Sequence, residues 1–169
     1  MITYVKGNLF NCLPQDKKNV VLHIVNDGGA MGSGFARAAF ERYPQVRSEY
    51  IKWYQDTFYN TEYDQIPFKL GQIQPIVCTD NLTIVNMVGQ SDPGGHYFDI
   101  QGQRIHLIPF RPDSFRECMY RVLEMYQGRD INLISPLMGC GLSGSTKEIV
   151  FGIVDEVLKN ILDITVYEL

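Results

Sequence analysis

Asn26-Asp27-Gly28-Gly29-Ala30-Met31-Gly32-Ser33-Gly34-Phe35-Ala36 carries four glycines within the seven residues 28–34. The run before it, Val20-Val21-Leu22-His23-Ile24-Val25, is apolar and largely β-branched. Such a run suits a strand in the middle of a sheet covered on both faces. After the stretch, Ser33 to Tyr43 reads as a helix burying Phe35, Ala39 and Phe40, and Pro44 stops it. A strand that ends in glycines and opens a helix is built for close backbone approach, because glycine takes positive φ and has no Cβ. The N–H groups at a helix start have no partner within the helix and carry partial positive charge, so they hold an anion. The stretch therefore points to a phosphate-bearing ligand. Without a ligand, the same residues read as a tight strand-to-helix turn.

The rest of the chain extends this pattern. Ile2 to Lys6 reads as a first strand, and Asn11 to Asn19 as a polar loop. Pro44 opens a second helix, with Val46, Tyr50 and Trp53 at helical spacing as core; Asp56 to Pro67 reads as a surface loop. Leu70 to Cys78 and Leu82 to Val88 form a hairpin about Asp80-Asn81, with Pro75 marking an edge or a bulge. Gly89 to Pro112 is irregular, with a turn at Asp92-Pro93-Gly94-Gly95 and a short strand over 105–108. Ser114 and Glu117 match a capping box for a helix that stops at Gly128. Ile131 to Ser135 is a short buried strand. A second glycine loop follows, Met138-Gly139-Cys140-Gly141-Leu142-Ser143-Gly144. Ser145 and Glu148 match another capping box, and Ile149, Ile153, Val157 and Ile161 form the expected inner face of that helix. Ile164 to Tyr167 is the last strand. Alternating strands and helices with no linker or repeat give one α/β domain over 1–169.

Composition narrows the function classes. The 169 residues are 45% hydrophobic and 20% charged, ordinary for a globular chain with a substantial core. A formal net charge of −4 speaks against gripping nucleic acid by phosphate neutralisation, and no sequence-specific nucleic-acid binding is expected. Backbone N–H groups still bind a small anion without lysines. Cys12, Cys78, Cys118 and Cys140 are scattered without a C-x-x-C pair, which suits reduced thiols in a cytoplasmic protein. No apolar run approaches the roughly 18 residues of a membrane span, so no membrane partner is expected. No metal-ligand spacing is visible, and no cofactor or metal is expected; His96 and His106 receive no role.

In an open α/β sheet, ligands bind beyond the carboxyl ends of the strands. If the strands ending at Asn26 and before Met138 are parallel neighbours, the two glycine loops face each other there. Two backbone nests suit a diphosphate. Residues 139–144 also satisfy G-x-G-x-x-G, and Glu168 ends the next strand, as in a dinucleotide site. That reading expects the acid about 20 residues on, and Glu168 lies further away. His23 is either a hydrogen-bonded core residue or an acid/base facing the ligand. Asp27 and Ser143 each read as a site group or a turn former.

Taken together, these residues resemble the macrodomain family, in the branch containing ADP-ribose 1″-phosphate phosphatase and terminal ADP-ribose protein glycohydrolase. The resemblance spans nearly the whole chain. It rests on residues 2–10 at the start, His23-x-x-Asn26 with Met31 to Ala36, Tyr43-Pro44, Val85 to Gln90, Pro136 to Leu142, and Ile164 to Leu169. It implies a three-layer α/β/α fold with a central mixed sheet that binds ADP-ribose along its crest. By that resemblance, Asn8 with Leu9 lies at the adenine and Asn26 near the distal ribose. Gly32, Ser33, Gly34 and Phe35 form the first diphosphate loop; Gly139, Cys140, Gly141 and Leu142, with Ser143, form the second. The glycohydrolase carries a lysine after the strand that here ends Val88-Gly89-Gln90, and an aspartate where Ser143 stands; both are absent. The phosphatase branch has a histidine that matches His23.

The expected function is binding of ADP-ribose or a derivative, with hydrolysis at the terminal ribose. Substrates of this kind are ADP-ribose 1″-phosphate, an O-acyl-ADP-ribose or an ADP-ribosylated macromolecule. His23, Asp27 and Asn26 are the candidate catalytic residues. The alternative is a non-catalytic reader of ADP-ribose.

Overall fold

Val20 and Leu22 turn to one face of the sheet, Val21 and Val25 to the other, and both faces are covered. The computed structural model describes residues 1–60, 66–91, 95–98, 101–141 and 143–169, with the backbone alone for 95–98 and 104–107. The strand is β2, Lys18–Asn26, and it starts two residues earlier than its apolar run. Around it are β1 Ile2–Lys6, β3 Ile73–Thr79, β4 Leu82–Gln90, β7 Ile131–Pro136 and β8 Ile164–Glu168, in the order β1-β8-β7-β2-β4-β3. Every pair in this sheet is parallel except the β3–β4 hairpin, so the sheet is mixed. Pro75 lies on β3, an edge strand, where its missing N–H breaks no inner ladder.

Helices α1 (Gly34–Arg42) and α2 (Gln45–Tyr59) cover one face, with Ala39, Val46, Tyr50 and Trp53 packed on Val21, Ile84 and Val88. Helices α3 (Pro112–Tyr126) and α4 (Lys147–Leu158) cover the other, with Phe115, Met119, Val150 and Val154 against Leu22, Met87 and Leu133. The result is the three-layer α/β/α arrangement. It also fixes the register of β2. A slip of one residue would turn His23 away from the α1/α2 layer and exchange every core contact.

Several local expectations are corrected. Helix α2 runs to Tyr59, into the stretch read as loop; the Lys52–Asp56 pair at 2.7 Å, one turn apart, supports its last turns. Residues 61–65 of that stretch lie outside the described residues. Strand β3 begins at Ile73 rather than Leu70, because Gly71 takes φ +90 in a turn. Helix α3 begins at Pro112, so Ser114 sits inside its first turn and caps nothing; proline's fixed φ suits a first helical position. In α4 the cap is Thr146, whose Oγ1 accepts from Ile149 N at 3.2 Å, and not Ser145. The inner face of α4 is Val150, Ile153, Val154, Val157 and Leu158, while Ile149 and Ile161 are exposed. The expected spacing matched one residue in each turn but was rotated off the true stripe. The irregular segment contains two strands, β5 Gly95–Phe98 and β6 Arg104–Leu107, paired antiparallel. Of its expected turn over residues 92–95, residues 92–94 lie outside the described residues and Gly95 begins β5. No described helix is long and apolar enough to cross a membrane.

Candidate functional site

Strands β2 and β7 are adjacent and parallel, with Val21 opposite Ile134. Their carboxyl ends therefore open on the same edge, and the two glycine loops stand side by side there. Between them lies a cleft of about 710 Å³. Its walls include Asn26, Gly32, Ser33, Gly34 and Phe35 from the first loop and Gly139, Gly141 and Ser143 from the second. A Cβ placed on Gly32, Gly34 or Gly141 would meet nothing within 4 Å. At these three points the backbone itself borders open space, which is what a backbone anion cradle requires.

The first loop is held from inside. Asn26 Oδ1 accepts from Gly28 N (2.9 Å) and Ala30 N (3.3 Å), and its Nδ2 donates to Ala30 O. Tyr50 of α2 donates its hydroxyl to the Asn26 carbonyl at 2.7 Å. Gly29 has φ +74, and a Cβ there would strike the Tyr54 ring at 2.7 Å. In the second loop Gly139 has φ +78 and lies against Val150; Ser145 N donates to Gly139 O at 3.0 Å. Gln90, at the end of β4, ties the two loops together. Its carbonyl accepts from Asp27 N at 3.0 Å, and its Oε1 accepts from the Ser143 hydroxyl.

His23 lines the cleft from β2 yet is only 2% exposed. Its Nε2 is 2.5 Å from Asn86 Oδ1, on the neighbouring position of β4. Asn86 donates both amide protons, to Val46 O (3.1 Å) and Gln74 Oε1 (3.0 Å). Its oxygen is thus an acceptor only, so His23 Nε2 carries the proton and Nδ1 keeps the lone pair. Nδ1 has no hydrogen-bond partner among the described residues. Burial lowers the imidazole pKa from 6.5 to about 4, against the weaker opposing effect of the Asn86 bond. His23 is therefore a neutral ring in a fixed tautomer, with its edge on Phe35 at 5.5 Å between centroids.

Other expected residues stand outside the cleft wall. Asn8 accepts from Phe10 N at 3.0 Å, capping a single 3-10 turn at Leu9–Asn11, and Leu9 is buried in the α1/α2 core. Phe10 stacks on Phe35 at 5.3 Å and 10°, which brings the end of β1 against the first loop. Asp27 accepts from the Ser91 hydroxyl at 3.2 Å. Cys140 donates to Met138 O at 3.3 Å, and burial raises its thiol pKa. Leu142 lies outside the described residues. Glu168 is bound by Lys147 and, at 3.0 Å, by Lys6, and these bonds lower its pKa. Its carboxylate is committed to two lysines. Among the described residues no cluster of His, Cys, Asp or Glu is arranged to hold a metal ion.

Three site residues escaped the sequence reading. Asn86 left a signal, a polar residue amid Ile84-Val85 and Met87-Val88. Tyr50 sits at core spacing and is core, but nothing in that spacing reveals the hydroxyl contact. Arg47 lines the cleft from α2 and left no signal, since an arginine beside a buried Val46 reads as an ordinary outward charge.

No protein-family model and no curated protein matches the sequence. Solved structures do match. A protein of unknown function from Bacteroides thetaiotaomicron is 29% identical, with 100% of this chain and 98% of that one covered at a TM-score of 0.82. A macrodomain protein from Streptomyces coelicolor is 23% identical over 99% of this chain and 98% of its own, at a TM-score of 0.76. Thermosipho africanus DarTG, solved in complex with ADP-ribose, is 16% identical over 99% of this chain and 42% of its own, at a TM-score of 0.66.

Proposed function

We propose that this chain, whose fold is that of the macrodomains, binds ADP-ribose along the sheet edge, with the diphosphate between the two glycine loops. The observation that carries this is that Gly32 and Gly34 of the first loop and Gly141 of the second line one cleft, each with open space where a side chain would start. The first-turn N–H groups of α1 lack intrahelical acceptors and add partial positive charge at the same place. The terminal ribose then falls toward Asn26 and Gln90, and the adenosine toward the end of β1. Micromolar affinity, about −8 kcal/mol, is the expected range. Calorimetry with ADP-ribose and AMP tests it. ADP-ribose binds at micromolar concentration and AMP far more weakly; absence of heat and of thermal shift at millimolar ADP-ribose removes the reading.

The reaction the cleft supports best is hydrolysis at the terminal ribose, with His23 Nδ1 accepting a proton from water. The imidazole is neutral across neutral pH and keeps its lone pair for that step, and its lowered pKa of about 4 makes it a weaker base than an unburied histidine. Ser143 and Gln90 bind each other near the positions where the glycohydrolase of this resemblance carries its aspartate and lysine. A lysine adduct therefore has no group to form on in this reading. The same neutral pair favours the second reading, a module that recognises ADP-ribose without turning it over. Phosphate release from ADP-ribose 1″-phosphate by the purified protein separates them: release that exceeds the uncatalysed rate supports the enzyme, and tight binding without release supports the reader.

A further inference from the structure

Arg47 is the only side chain with a formal charge among the described residues that line the cleft. It is exposed, on the first turn of α2, and its guanidinium lies 5.0 Å from the Phe40 ring centre. No carboxylate pairs with it among the described residues, although the neighbouring helix arginine Arg37 is paired with Glu41 at 2.7 Å. In a chain of net charge −4, a cation resting on an aromatic face with its donors uncommitted is poised to take an anion.

Its level in the cleft indicates which anion. The carbonyl of Val46, one residue before Arg47, accepts from Asn86, and Asn86 is in register with His23. His23 lies three residues before Asn26, about 10 Å below the strand end at roughly 3.3 Å per residue. Arg47, exposed, and His23, buried, thus border the cleft from its α1/α2 side, while Gly32, Gly34 and Gly141 belong to the two loops beyond the strand ends. A diphosphate on the loops already has its backbone partners. What reaches the α1/α2 side, next to Asn26, is the terminal sugar and whatever that sugar carries.

We propose that Arg47 is a specificity-determining residue whose guanidinium takes a phosphate monoester on the terminal sugar, beyond the diphosphate. This rests on the ADP-ribose reading above. A planar guanidinium offers paired N–H donors that match two phosphate oxygens, which a lysine does not.

The test compares ADP-ribose with ADP-ribose 1″-phosphate on wild type, Arg47→Met and Arg47→Lys. Methionine keeps an apolar stem over Phe40 and removes the charge; lysine keeps the charge and removes the fork. Affinity is read as Kd where the ester survives and as kcat/KM where phosphate is released. Arg47→Met is expected to lose about 10- to 100-fold on the phosphate ester and less than about threefold on ADP-ribose, with Arg47→Lys between. Equal loss on both ligands would assign the charge to the diphosphate and overturn the proposal, as would no loss on either. A wild type that binds neither ligand ends the ADP-ribose reading and this proposal together. A wild type that binds ADP-ribose keeps the first reading whatever Arg47 does.

Discussion

Tyr50 and Asn26 are joined across two layers of the fold: the Tyr50 hydroxyl lies 2.7 Å from the Asn26 carbonyl and 3.0 Å from its Oδ1. Tyr50 is fully buried in the core, while Asn26 is the last residue of the central strand and borders the cleft. One side chain therefore packs the α1/α2 layer and steadies the first glycine loop. Tyr50→Phe keeps the packing and removes the hydroxyl. It should cost about 1 kcal/mol of stability, the usual worth of one hydrogen bond. ADP-ribose affinity should fall by about three- to tenfold, because a loosened loop must be ordered on binding. Chemical denaturation and calorimetry on the same protein check both; unchanged values would mean the hydroxyl does not steady the loop.

Gly32→Glu tests the first loop without straining it. Gly32 borders the cleft, its φ is not in the left-handed region, and a Cβ there meets nothing within 4 Å. The domain should fold as before. The carboxylate should oppose the diphosphate and lower affinity by at least about 100-fold, or about 2.7 kcal/mol. A well-folded variant that binds normally would place the ligand elsewhere.

Gly139→Ala should do the reverse. The position has φ +78, and its Cβ would lie 2.7 Å from Val150 Cγ2 in the α3/α4 core. Left-handed strain and overpacking together cost about 1–3 kcal/mol. A melting temperature lowered by about 5 °C is expected, at about 2–4 °C per kcal/mol in a chain of this size. A melting temperature equal to wild type would show that the loop relaxes at no cost.

His23 sets a pH dependence of stability. Its folded pKa is lowered to about 4 by burial, while the unfolded value is 6.5. The unfolded chain therefore binds the proton first as pH falls. Stability from this group is complete above pH 6.5, is lost as pH falls toward 4, and levels off below that. The full difference is about 3 kcal/mol at 1.36 kcal/mol per pKa unit. Denaturation midpoints between pH 4 and 7 should show this slope in wild type and a shallower one in His23→Asn. Equal slopes in both would mean that another group sets the acid limit.

Much of the architecture was legible in the chain because it follows from local chemistry. The run Val20–Val25, apolar but for His23 and largely β-branched, points to a strand covered on both faces. Pro75 points to an edge strand or a bulge, and the Gly28–Gly34 glycines to a tight exit into a helix. Helix limits were less legible. At Pro112 and Thr146 two or three capping residues compete within one turn, and a capping box is satisfied in sequence at more than one start. The inner stripe of α4 was missed because nearly every residue from Ile149 to Leu158 is apolar or flanked by an apolar residue, so periodicity alone does not choose a face.

The six strands of the main sheet and the two glycine loops follow from residues adjacent in the chain, within a few positions at their ends. Which groups meet depends on the packing of elements far apart in sequence. The β2–β7 pairing brings the loops of Gly32 and Gly141, 109 positions apart in the chain, to one sheet edge, and the β2–β4 register places Asn86 on His23. That register, with Val46 and Gln74 taking both Asn86 protons, fixes which nitrogen of His23 faces the cleft. Helix α2 then brings Tyr50 beneath the first loop and Arg47 to the wall of the cleft. Neither contact has a local signature, because the side chain's role comes from what another element places within about 3–5 Å of it, and packing of the layers sets that distance.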